Sequence, residues 1–157
     1  MIVIADTTPI NYFILIGEIE VLAQLYERVF IPVAVRDELA SLLAPAPVRS
    51  WIESVPSWLE VRAAASLATG LPPGLGAGER EAISLAEELQ ADQLIADDQS
   101  ARREAERRGI AVIGTLGVLR EAALEGLIDL PSALDRLRNT SFHVTPELID
   151  YLLRSSR

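Results

Sequence analysis

The sequence predicts an α/β fold: three layers, α/β/α, around a central parallel sheet of about four to five strands. Three observations predict it. Short, continuous runs rich in β-branched residues, Ile2-Val3-Ile4-Ala5 and Val29-Phe30-Ile31, match strands buried on both faces rather than alternating strands with one wet face. Segments of helical periodicity separate the runs, the pattern of βαβ units. Half of the 157 residues are hydrophobic, enough for one domain with a sizeable core.

The elements follow in order. After the strand at 2–5, Thr7-Thr8-Pro9 opens a helix, with Thr8 as N-cap, Pro9 in the first helical position and Gly17 as its stop. A helix at about 19–27 leads to a strand at 29–31. Pro32 opens a helix at 33–43 that Ala44-Pro45-Ala46-Pro47 breaks. A short helix at 48–55 and a marginal strand at 59–61 come next. The loop Leu71-Pro72-Pro73-Gly74-Leu75-Gly76-Ala77-Gly78 precedes a helix at 79–90 whose apolar face is Ala82, Ile83, Leu85, Ala86 and Leu89. Strand 94–96, helix 98–108, strand 111–113 and helix 115–125 complete the alternation. Helices at 131–138 and 145–154 form a C-terminal extension, 131–157, of a single domain, 1–157.

Composition removes several function classes. No apolar run approaches the length of a membrane span, and the start lacks the basic region of a signal peptide, so a cytoplasmic location is expected. With no cysteine there is neither a disulfide framework nor a thiolate zinc site. All 14 basic residues are arginine. A P-loop requires its lysine, and receiver domains and haloacid-dehalogenase-type phosphatases also use one, so these readings weaken. The single His143 excludes a multi-histidine site and is read as structural; serine hydrolysis lacks a G-x-S-x-G motif. A net charge of −9 argues against a broad basic nucleic-acid surface, so any such contact must be local and aided by metal.

Four acids stand out: Asp6, Glu38, Glu79 and Asp97. Asp6 and Asp97 each follow an apolar strand, and the C-terminal ends of strands line the binding crevice of an open α/β sheet. Glu79 shares the face of Ala82 and Ile83, and Glu38 lies at the edge of the Val35–Leu42 stripe, whereas Asp37, Glu81, Glu87 and Glu88 point to solvent. Gathered carboxylates repel, by about 1–4 kcal/mol per pair at 4 Å depending on the dielectric, and persist where a cation or shared protons offset this. Hard divalent ions suit such oxygens. Plainer roles compete for each acid: a helix cap for Asp6, a rim ion pair for Glu38, a dipole partner for Glu79, and a cap for one of Asp97 and Asp98. The spacing Gly74-x-Gly76-x-Gly78 follows no clear strand and is better read as a tight helix entry than as a phosphate loop. Arg102 and Arg103, on the helix after Asp97, either steer RNA phosphates or pair with nearby glutamates, as do Arg107 and Arg108.

Asp6-Thr7-Thr8-Pro9 after a hydrophobic strand, Glu38, Gly78-Glu79-x-x-Ala82-Ile83-x-x-Ala86 and the strand-end Asp97 together resemble the PIN-domain ribonucleases. Leu75-Gly76-x-Gly78-Glu79, Asp97-Asp98-x-x-x-Arg102, Gly114-Thr115-Leu116-Gly117-Val118-Leu119 and the tail from Phe142 to Leu153 are similar to a prokaryotic PIN-related group. The resemblance implies an Mg²⁺- or Mn²⁺-dependent endoribonuclease cleaving single-stranded RNA. It also implies kinship with VapC-type toxins, which are dimeric and inhibited by an antitoxin. By position Asp6, Glu38, Glu79 and Asp97 match the acid quartet, Asp6 and Asp97 as direct metal ligands, with Thr8, Asp98 and Thr115 as secondary candidates. The third acid is Glu where the toxins more often carry Asp. A catalytically silent PIN-like module binding protein or RNA is the alternative.

Overall fold

The computed structural model describes residues 1–155. The last two residues of the expected extension lie outside them. Five strands, β1 (Val3–Ala5), β2 (Val29–Ile31), β3 (Leu59–Val61), β4 (Gln93–Ile95) and β5 (Val112–Ile113), form one sheet, all parallel, in the order β3-β2-β1-β4-β5. The chain runs outward from β1 to β3, then crosses back to lay β4 on β1's other side. Right-handed crossovers in opposite directions place helices on opposite faces.

Helices α1 (Thr7–Leu15), α2 (Val21–Tyr26), α3 (Val33–Ala40) and α4 (Ala46–Ile52) accompany the outward run. Helices α5 (Ala77–Glu88) and α6 (Gln99–Arg107) accompany the return. The strand pleat sorts the core accordingly. Val3, Ala5, Val29, Ile31 and Ile95 pack with Ile10, Phe13, Leu22, Val35 and Leu39 on one face. Ile4, Phe30, Leu94 and Ala96 pack with Ala82, Ile83, Leu85, Ala101 and Ala105 on the other. Each buried Ile, Leu or Phe side chain contributes about 1.5–3 kcal/mol of transfer free energy. Helices α7 (Thr115–Leu124), α8 (Leu130–Arg138) and α9 (Pro146–Ser155) complete the first face.

The C-terminal helices are tied in by more than apolar contact. Arg136 of α8 donates to the Ile16 carbonyl at the end of α1 and to Glu18 Oε1 at 2.7 Å. Tyr12 on α1 meets Phe142 edge-on at 5.0 Å, and its hydroxyl lies 2.8 Å from Ser141 Oγ.

Two expectations are corrected. The N-cap of α1 is Asp6, not Thr8: its backbone is extended and its carboxylate accepts from Thr7 N at 2.8 Å, so the helix begins two residues earlier, at Thr7 rather than Pro9. Helix α3 ends at Ala40 rather than running to 43, because Ser41 turns to extended backbone and its hydroxyl accepts from Leu43 N at 3.1 Å.

Candidate functional site

The reversal of strand order between β1 and β4, which run parallel, opens a crevice at their C-terminal ends, where ligands of open α/β sheets bind. Asp6 stands at its floor. Its backbone N–H extends the ladder to the Ile95 carbonyl at 2.9 Å, fixing it beside the end of β4. Only 5 % of Asp6 is exposed. Burial pushes its carboxyl up to about 7, against the lowering effect of the Thr7 N–H bond, with the charges of Glu79, Glu38 and Asp98 raising it further. These same three groups identify its neighbours.

Glu38 reaches the site from α3 and is held by two donors. Thr7 Oγ1 donates to Oε1 at 2.6 Å, and Gly78 N, in the first turn of α5, donates to Oε2 at 2.8 Å. Glycine at 78 permits this close approach: a Cβ there would stand 2.8 Å from both Glu38 oxygens and push the carboxylate aside. Glu79 Oε1 accepts from Gly76 N at 3.0 Å, half of a capping box whose other half a glycine N-cap has no side chain to make. Glu79 Oε2 is buried with no hydrogen-bond partner among the described residues. Burial raises the Glu79 carboxyl, and Asp98 beside it and Glu38 raise it further.

The tandem acids after β4 take different directions. Asp97 turns to α7: Oδ1 accepts from Thr115 N at 2.8 Å and Oδ2 from Thr115 Oγ1 at 2.6 Å. Asp98 caps α6 through Ala101 N at 2.9 Å and faces Asp6 and Glu79. The structure thus gathers Asp6, Glu38, Glu79 and Asp98, and sets Asp97 behind them as an anchor between β4 and α7. A Cβ at Gly114 would stand 2.8 Å from Asp97 Oδ1 and 2.5 Å from Arg102 Nη1, so this joint admits only glycine.

A family model described as a PIN domain matches residues 2–157. The chain belongs to the PIN-domain family. No curated protein matches it. Among solved structures it is similar to a PilT N-terminus domain protein from the hyperthermophilic archaeon Sulfolobus solfataricus P2, at 19 % identity and a TM-score of 0.47, covering 92 % of this chain and 100 % of that one. The PIN domain is a nuclease-like fold, and PIN domains typically use divalent metals.

The donors of this PIN domain fit a hard cation in kind: carboxylates only, one buried acid disfavoured as an anion, and one buried oxygen without a donor. Among the described residues, no three acids stand close enough to form a ready cage. Mg²⁺ keeps several waters and takes only one or two carboxylates, so it does not need such a cage.

The remaining candidates separate by their contacts. Thr8 is exposed, and Thr7, which the sequence did not single out, does the polar work at Glu38. Thr115 is fully buried against Asp97. Arg107 and Arg108 are committed to Glu104 at 2.5 Å, and Arg108 also to Glu87 at 3.0 Å and the Thr69 carbonyl at 2.7 Å. Together they hold Glu104 down to about 2. Glu81 and Glu88, expected to point into solvent, accept from Ala34 N at 3.1 Å and Ala65 N at 2.9 Å. Arg102 donates to the Ala96 carbonyl at 3.4 Å, and Arg103 is exposed. His143 is exposed between α8 and α9. Among the described residues, no helix is long and apolar enough to cross a membrane.

Proposed function

We propose that this PIN domain is an Mg²⁺- or Mn²⁺-dependent endoribonuclease that cuts single-stranded RNA. The observation that carries the proposal is the buried Asp6, whose charge-raising neighbours at the sheet's switch point are Glu79, Glu38 and Asp98, none of them ion-paired among the described residues. We assign Asp6 and Asp98 to hold the ion directly and Glu79 to reach it through a bound water. A divalent ion there lowers the pKa of a bound water and neutralises charge developing on the phosphodiester. Glu38, fixed by Thr7 and Gly78, is oriented to accept a proton from that water or to position it. Thr115 holds Asp97, which sets the turn that presents Asp98. Arg103, exposed on α6 five residues after Asp98, is assigned to phosphate attraction.

We further propose a homodimer in the cytoplasm, with an antitoxin as inhibitor. Light scattering at micromolar concentration tests the dimer, and a monomer mass overturns it. A small antitoxin-like reading frame beside the gene supports the toxin role. The decisive assay is cleavage of a fluorescent single-stranded RNA with and without Mn²⁺. Wild type is expected to cut only with metal and Asp6→Asn to lose cutting. Full activity of Asp6→Asn refutes the reading. The competing reading, a catalytically silent module binding protein or RNA, draws on the net charge of −9 and is favoured if wild type never cuts.

A further inference from the structure

A cavity of about 330 Å³ opens beside Glu38, lined by Thr7 and Asn11 of α1, Glu38 and Leu39 of α3, and Leu43 and Pro45 of the following turn. One wall, Thr7–Glu38, is shared with the acid cluster, so an occupant lies against the Glu38 carboxylate. Leu39, Leu43, Ala44 and Pro45 supply the apolar lining, and Leu43 is 97 % exposed, where a folded protein's surface normally carries polar residues. The polar groups are largely spoken for. Both Glu38 oxygens already accept hydrogen bonds, and Ser41 Oγ accepts from Leu43 N. The Asn11 carboxamide makes no side-chain hydrogen bond among the described residues, and it offers a donor and an acceptor side by side.

We infer that this cavity is a subsite for one unpaired nucleobase of the RNA, next to the phosphodiester that is cut, with Asn11 reading the base edge. The inference rests on the ribonuclease reading above and deepens it. A base is flat, largely apolar on its faces and hydrogen-bonding at its rim, and sequence-specific RNA readers take single-stranded bases splayed into such places. A carboxamide matches the paired donor and acceptor of a base edge. A basic side chain of a protein partner fits less well, because it carries only donors and leaves the Asn11 N–H group unmatched.

The test uses the full chain, an end-labelled pool of random-sequence single-stranded RNA with Mn²⁺, and a second pool carrying photoreactive thiouridine. Wild type is expected to cut with a nucleotide bias beside the cut. Asn11→Ala should flatten that bias and raise KM about tenfold, the loss falling on KM rather than kcat. Leu43→Asp, at an exposed position that folding does not need, should repeat the effect. Irradiation should attach thiouridine RNA within residues 7–11 or 38–45 of wild type, and less so in Leu43→Asp. Intact cleavage with unchanged bias and KM in both variants overturns the subsite and leaves the nuclease standing. No cleavage, but attachment at these residues, refutes the nuclease and upholds the base-binding cavity. Neither cleavage nor attachment overturns both. Attachment elsewhere, with an arginine-bearing amphipathic peptide protecting residues 39–45 from hydrogen exchange, gives the cavity to a protein partner and overturns the inference.

Discussion

Replacing Asp6 by Asn should make the metal-free protein more stable, and the size of the gain follows from the burial of one carboxyl. Asn keeps the side-chain oxygen that caps α1 through Thr7 N, so the cap survives. What disappears is a charge. The folded carboxyl is raised from 3.8 to about 7, so between those values the native state binds a proton that the unfolded chain has released. Stability from this group is therefore full below pH 3.8 and drains away as pH rises to about 7. At 1.36 kcal/mol per pH unit the whole loss is about 4 kcal/mol, of which about 2 falls between pH 5 and 7. Relaxation of the crevice and entry of water reduce the gain from Asp6→Asn to about 2–4 kcal/mol at pH 7.5, which for a chain of this size is about 5–15 °C in Tm. Thermal melts in EDTA at pH 4 and 7.5 read it: the variant should melt higher at 7.5 and no higher at 4. Added Mn²⁺ should raise wild type more than the variant, since binding to the native state stabilises by mass action. A variant that melts at or below wild type at pH 7.5 in EDTA refutes the argument that a disfavoured charge sits at this floor.

Three further outcomes follow from single contacts. Gly78→Ala should fold as well as wild type or slightly better, since Ala gains up to about 1 kcal/mol inside a helix. RNA cleavage should nevertheless drop at least about tenfold, because the new Cβ would sit 2.8 Å from both Glu38 oxygens; circular dichroism beside the fluorescent assay shows the split. Thr115→Val keeps the shape but leaves Asp97 Oδ2 without its donor at 2.6 Å, costing about 1–3 kcal/mol in urea melts. Ile83→Ala, fully buried between α5 and the sheet, should cost about 2–5 kcal/mol with the metal response of the melt retained.

The fold was legible wherever a local pattern and its long-range consequence agreed. Val29-Phe30-Ile31 and Leu59-Glu60-Val61 were bounded to the residue, because Pro32 closes the first and a turn precedes the second. Helix starts were harder. Asp6 and Thr8 are both good caps, and only the ladder bond from Asp6 N to the Ile95 carbonyl decides between them, a contact 89 residues away in sequence (95 − 6). The site was read as acids at strand ends and on the inward faces of two helices; in the structure Asp6 sits beside the end of β4, Glu38 is held by Thr7 and Gly78, and Glu79 accepts from Gly76 N. Thr7 was missed because a Thr in a first helical turn carries no signal of its own; its role exists only once α3 brings Glu38 to 2.6 Å.

The tandem Asp97-Asp98 shows where sequence reasoning of this kind stops and what takes over. Two adjacent carboxylates leaving a strand point in opposite directions, so one faces the crevice and the other does not. Periodicity cannot say which, because no helix or strand phase spans the turn. The decision is made by α7. Its N-terminal Thr115 presents an N–H and a hydroxyl, two donors that fit one carboxylate in two places, and Gly114 leaves the space that carboxylate needs. Once Asp97 is bound there, Asp98 is turned toward Asp6 and Glu79, where its charge raises both. Thr115 gives Asp97 two donors, whereas Asp98 takes one from Ala101 N and adds its charge to Asp6 and Glu79. A cation entering the crevice relieves the repulsion among Asp6, Glu79 and Asp98. Asp98→Asn should therefore weaken the Mn²⁺ response of the melt more than Asp97→Asn does, while Asp97→Asn should cost more folding stability by disturbing the bonds from Thr115.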